Sequence, residues 1–306
     1  MKNILSEEKS VRFFKIFKTI MLCSVLVTTV LRALSLFLFY DAEIGYYQHG
    51  SVVPVAHNAF LAILALFAVV SCVLIGKNAP LPEKYTLSSK CSSVFVALAF
   101  AVVTIATAIS SYEFVTIYAE VNMTTLALLV NLLIMVTPIV ACVYFVLYAL
   151  GKCSPAISLV CGIFTIIYFV IILANAYFDV YVTMNAPEKL STHLSCICAL
   201  LLILNEMRVM CGAEKKAFYL FSVSFSAIAL NACALPTIIA SFAGVFTGGV
   251  ITPPDPSAYV FFALGIFSVV RLIMLEPKEE IKVEAEVKVE EEQNDILSDS
   301  EDKEQL

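Results

Sequence analysis

The 306-residue chain is 60% apolar and only 14% charged, with a mean hydropathy of +0.92, whereas soluble globular chains run at roughly 45–50% apolar and about 25% charged. An ordinary soluble domain is excluded. The net charge of −6 is unevenly placed: 13 acidic and 4 basic residues follow position 275, so a tail of −9 is attached to a body of +3 and the low pI belongs to the tail alone.

Residues 1–18 form a basic N-terminal segment carrying Lys2, Lys9, Arg12, Lys15 and Lys18. Apolar runs then recur at 19–40, 53–76, 92–112, 124–150, 155–177, 191–209, 217–237 and 258–275. Each approximates the ~20 residues a helix needs to cross a hydrocarbon core, where a helix satisfies its own backbone polar groups. The pattern predicts an all-α polytopic transmembrane helix bundle of about eight spans over residues 19–275. Pro236 is expected to bend or end the seventh helix. The first run is too long for a signal peptide and no small-residue cleavage site follows it, so it reads as a retained span.

Basic residues set the expected orientation, because loops rich in Lys and Arg stay cytoplasmic. Of the 19 basic residues, 17 fall on the side of the N-terminus, Lys189 falls on the other and Arg32 lies inside a span. Both termini are therefore expected in the cytoplasm. Aromatic clusters at the span ends, such as Tyr46 with Tyr47 and Tyr177 with Phe178, read as interfacial anchors. The ten cysteines lie in apolar segments or on the cytoplasmic side, which argues against structural disulfides. Cys196 and Cys198 lack a second pair at zinc-ligand spacing, and no metal site is expected.

Polar residues inside the spans are the candidate sites. Arg32 lies near the middle of the first span, with Thr28, Thr29 and Ser35 on the same helical face. A charge there is costly and is expected to face protein or water. Asn131 and Asn231 are the other mid-span polar groups; Asn131 is the expected polar partner of Arg32 at depth and Glu113 the expected carboxylate. Asn231 shares a face with Ser224, Ala227 and Ala234, a composition suited to close helix packing.

Asp41, His57, Asp179 and His193 form a candidate outer-rim site, where imidazoles and carboxylates together could bind a divalent metal or sense external pH. At the inner end of the sixth span, Glu206 and Arg208 stand two residues apart as a candidate inner gate or interfacial ion pair.

Residues 276–306 read as an acidic, disordered cytoplasmic tail able to meet a protein partner. Within it, residues 281–289 alternate apolar and charged positions and would present one apolar face as a strand added to a partner's sheet. Tyr40-Asp41 and Phe178-Asp179 close the first and fifth spans alike, raising a parallel repeat of four helices plus four.

Phosphate-binding, nucleophile-elbow and zinc-helix motifs are missing, and three histidines offer little acid–base capacity. No enzyme activity, cofactor or nucleic-acid partner is expected. Asp41, Glu43, Gly45 and Tyr46, then Asn185, Pro187 and Lys189, then Glu206 and Arg208 are similar to short signatures in a group of multi-pass membrane proteins of clostridial bacteria. The resemblance implies a bacterial plasma-membrane location and carries no activity or substrate. The leading expectation is a non-enzymatic accessory or sensory membrane component. The alternative is a secondary transporter of a small solute with a midplane site near Arg32.

Overall fold

The computed structural model describes residues 7–82, 85–118, 125–179, 182–183 and 185–276. Among these, eight long helices alternate in direction: α1 Glu7–Phe39, α2 Val52–Ile75, α3 Leu87–Tyr118, α4 Thr125–Ala149, α5 Pro155–Phe178, α6 Pro187–Met210, α7 Lys216–Phe242 and α8 Pro256–Ile273. Every one contains a stretch long and apolar enough to cross a bilayer. The protein is an all-α polytopic bundle. The acidic tail lies outside the described residues.

Local chemistry explains the helix ends. Pro155, Pro187 and Pro256 occupy first helical positions, where the missing N–H costs nothing. The Ser154 hydroxyl accepts from the Ile157 amide at 3.3 Å, and the Asp255 carboxylate accepts from the Ser257 amide at 2.7 Å. Gly151 and Gly212 close α4 and α6 at φ +71° and +70°. That left-handed conformation lets Lys152 and Ala213 donate back to Leu147 and Arg208.

Two helices differ from expectation. α1 starts at Glu7 rather than near position 19, so much of the basic segment is helical; Phe14 and Phe17 on this first stretch are buried in the core, and their burial draws the helix outward from the span. α7 runs through Pro236 to Phe242. Proline removes one hydrogen bond, but ending the helix inside an apolar core would leave several carbonyls unsatisfied. α4 carries Pro138 in the same way.

A two-residue hairpin joins α1 to α2. β1 Tyr40–Asp41 pairs antiparallel with β2 Tyr46–Tyr47, Tyr40 opposite Tyr47. Asp41 stabilises the turn by accepting from the Glu43 amide at 3.0 Å.

Six helices close a ring in which α3 packs on α4, α4 on α5, α5 on α6, α6 on α7, α7 on α8 and α8 on α3. α1 and α2 pack on the outside of α7 and on each other. The ring therefore takes α3 and α4 from the first half of the chain and all four helices of the second. α7 contacts both layers, and 72% of its apolar window is buried against 28% for α4 and α5. Small residues, Ser222, Ser224, Ser226, Ala227 and Ala234, stand among its buried side chains and permit close helix approach. At Gly265 of α8 a Cβ would stand 2.8 Å from the Asn231 amide nitrogen, so glycine is what admits that contact. The outward faces of α1 to α5 carry Leu26, Ile63, Leu98, Leu132 and Ile163, a surface suited to lipid.

Candidate functional site

Three features lie along the bundle axis. We call the end where α1 begins and α8 finishes proximal, and the opposite end distal.

At the distal end Arg32 is only 3% exposed. Its guanidinium donates to the Tyr47 hydroxyl of β2, to Ser191 Oγ of α6 at 2.6 Å and to the Pro187 carbonyl at 3.3 Å, and it lies 5.6 Å from the Tyr47 ring centroid. Among the described residues these hydrogen-bond partners are all neutral. Among the described residues the buried Arg32 Nε has no acceptor. Tyr40 donates to Glu188 Oε1 at 3.0 Å, and burial together with the Glu188 charge pushes the Tyr40 phenol above its usual pKa. Burial raises Tyr47 likewise, with Arg32 opposing it. Tyr46 bonds Thr183, and Tyr40 packs edge-on to Phe246 at 5.2 Å, so the hairpin is clamped to the segment before α6 and to the turn after α7.

The residues grouped with Arg32 by sequence separate. Thr28 is fully buried but spends its hydroxyl on the Ser24 carbonyl at 2.7 Å. Asn131 does not meet Arg32: it accepts from Ser111 at 3.0 Å across the α3–α4 contact, because α4 packs on α3 and α5 whereas α1 packs on α2 and α7. Asn231 bonds its own helix at Ala227. The Glu113 side chain lies outside the described residues.

The rim residues also disperse. Asp41 is held in the hairpin turn. His57 is buried on α2 beside Asn58, within electrostatic reach of Arg32, and its Nε2 has no partner among the described residues. His193 packs 6.4 Å from the Tyr177 ring, and Asp179 joins the wall of a cavity. Among the described residues no three His, Cys, Asp or Glu side chains group as metal ligands would.

That cavity, of about 710 Å³, lies inside the six-helix ring in its distal half. Asp179, Glu188 and Asp255 line it at the helix ends, and Tyr168, Val103 and Phe261 line it deeper in. Ser191 lines it too, and so connects Arg32, behind the α6 wall, to the cavity surface.

Beneath the cavity the ring is filled. Phe100 stacks on Phe145 at 6.0 Å and meets Tyr168 and Phe169 edge-on, Phe169 stacks on Phe261 at 5.8 Å, and Phe145 meets Phe267 edge-on at 5.9 Å. Below this aromatic layer Glu206 of α6 pairs with Arg271 of α8 at 2.6 Å, both fully enclosed. Tyr219 donates to Glu206 Oε1 at 2.7 Å, Arg271 bonds the Tyr148 hydroxyl, and the guanidinium lies over the Tyr148 and Phe267 rings at 5.2 and 5.0 Å. Side chains from four helices, α4, α6, α7 and α8, thus converge on one charge pair.

This corrects the pairing of Glu206 with Arg208. Two residues apart on a helix is a rotation of about 200°, so the two side chains leave on opposite faces. Arg271 is one of the 17 basic residues counted on the N-terminal side, yet both it and Glu206 fall inside apolar runs, 258–275 and 191–209, which is the signal for a buried pair. Tyr148, Tyr168 and Tyr219 carried no sequence signal of their kind.

No protein-family model, curated protein or solved structure matches this chain. Fold and cavity define a multi-pass integral membrane protein with a partly hollow helical ring.

Proposed function

We propose that this protein binds a small solute in the ring cavity and carries it across the plasma membrane, with both chain ends in the cytoplasm and the cavity facing outward. The observation that carries this reading is the cavity itself: its volume is in the range of small-molecule sites, and polar groups converge on an otherwise apolar wall. The basic residues that dominate the proximal loops support the orientation. The site sits beside Arg32, with Ser191 between them, rather than on Arg32 itself. Closure of the proximal half by the aromatic layer and the Glu206–Arg271 pair is what a carrier resting in one of two alternating states requires.

The same packed proximal half also favours a second reading, a sensory or accessory component that binds the solute without moving it. Its acidic tail would then meet a cytoplasmic protein. Neither reading calls for chemistry on the solute.

The test is thermal unfolding of the full chain in detergent against a library of small charged and neutral solutes. At least one should raise Tm with concentration, and filling the cavity by Ala176→Phe should abolish the shift. Uptake of that solute into proteoliposomes supports the carrier, and binding without uptake supports the sensor. If no solute shifts Tm, the cavity reading fails.

A further inference from the structure

The cavity wall is chemically one-sided. Thr107 donates its hydroxyl proton to the Thr104 carbonyl at 3.0 Å, Thr192 to Glu188 at 3.0 Å, Thr237 to Cys233 at 2.7 Å and Ser241 to Thr237 at 3.0 Å. All four side chains line the cavity. With its proton spent on its own helix, each hydroxyl offers the interior lone pairs only.

Charge points the same way. Among the described residues Asp179, Glu188 and Asp255 line the cavity against one lining cation, Lys189, with Arg32 within electrostatic reach of Glu188 behind the wall. The Lys189 ammonium is held by the Asp179 and Val182 carbonyls at 2.8 and 3.0 Å, which engages it with the end of α5. Helix N-termini account for part of this acidity, since Glu188 sits in the first turn of α6 and Asp255 caps α8.

A second, independent observation lies at the floor. Tyr168 is 4% exposed and lines the cavity, yet its hydroxyl has no hydrogen-bond partner among the described residues. The hydroxyl is not among the enclosed unpartnered polar atoms, so it opens onto the cavity and can bond a ligand in place of water. Phe261, also on the cavity wall, adds an aromatic ring of the kind that attracts cations.

Resting on the solute-binding reading above, we infer that the ligand is a small organic cation, a protonated amine or guanidinium on a short apolar body. Its donors meet the acceptor-rich wall near Asp179, Glu188 and Asp255, and its body lies against Tyr168 and Phe261.

The experiment is titration calorimetry on the full chain in detergent with phenethylamine, agmatine, phenylacetate and benzyl alcohol. Phenethylamine or agmatine should bind, and the anion and alcohol should bind at least tenfold more weakly. Asp255→Asn keeps an N-cap while removing the charge, and Glu188→Gln keeps an acceptor for Tyr40. Each should weaken the cation about tenfold, and Tyr168→Phe should weaken it several-fold. A variant that unfolds is replaced by the other. Preferential binding of phenylacetate, abolished by Ala176→Phe, overturns the cation assignment and leaves the cavity reading standing. Binding of other library solutes in the cavity with both cations silent does the same. Silence of every solute overturns both.

Discussion

Glu206 and Arg271, 65 residues apart in sequence, meet at 2.6 Å in the proximal half of the bundle, with Tyr219 on one carboxylate oxygen and Tyr148 on the guanidinium. The pair joins α6 to α8, two helices that otherwise touch little. Removing one partner strands the other charge in a dry interior. Glu206→Ala should therefore cost about 3–5 kcal/mol, and the double variant Glu206→Leu with Arg271→Met should recover much of it. Arg208→Ala should cost under about 1 kcal/mol. Unfolding in mixed detergent measures all three, and an Arg208→Ala loss equal to that of Glu206→Ala would restore the intrahelical pairing.

Arg32 ties three elements together through a planar fork, so Arg32→Met should destabilise the bundle by about 2–3 kcal/mol, the scale of a hydrogen bond to a charged group after desolvation is offset. Arg32→Lys should regain less than half, because a point ammonium cannot span Tyr47, Ser191 and the Pro187 carbonyl together. Thermal unfolding distinguishes these outcomes, and full recovery by lysine would show that charge rather than geometry matters.

The α7–α8 contact predicts a coupled pair. Gly265→Ala should destabilise by driving a methyl into Asn231, whereas the same change in an Asn231→Ala background should be far milder. A double-mutant cycle should return a coupling of at least about 1 kcal/mol. Additive losses would mean that the two helices do not approach as closely as the glycine requires.

Tyr40 carries a pH signature. Its phenol titrates above the ordinary value of 10.0 in the fold because burial and Glu188 oppose ionisation. The unfolded chain thus releases this proton first. The contribution is fully present below about pH 10 and falls as pH rises through the folded pKa. Unfolding temperatures should drop above that pH, and Tyr40→Phe should flatten the drop. An identical alkaline slope in wild type and Tyr40→Phe would remove Tyr40 from the account.

Orientation is open to a direct test. Reporters fused after Gly76, Lys152, Gly212 and Leu306 should read cytoplasmic, and those after Tyr47, Met123, Thr183 and Thr252 external. Two adjacent sites on one side would break the alternation.

The spans were legible in the sequence because the free energy of placing a helix in lipid is a sum over that helix's own residues. Pro155, Pro187 and Pro256 near helix starts, and Gly151 and Gly212 after helix ends, are local in the same sense. The buried position of Arg32 could be inferred from cost alone, but its partners could not. Asn131 is the partner the sequence suggests at depth, and only the order of helices around the bundle puts Ser191 against Arg32 and Asn131 against Ser111. The same holds for Glu206 choosing Arg271 over Arg208, for Phe14 and Phe17 extending α1, and for hydroxyls on α3, α6 and α7 facing one cavity. Lipid insertion depends on composition, whereas these contacts depend on which helices are neighbours and how each is rotated, a choice made by packing between segments far apart in the chain.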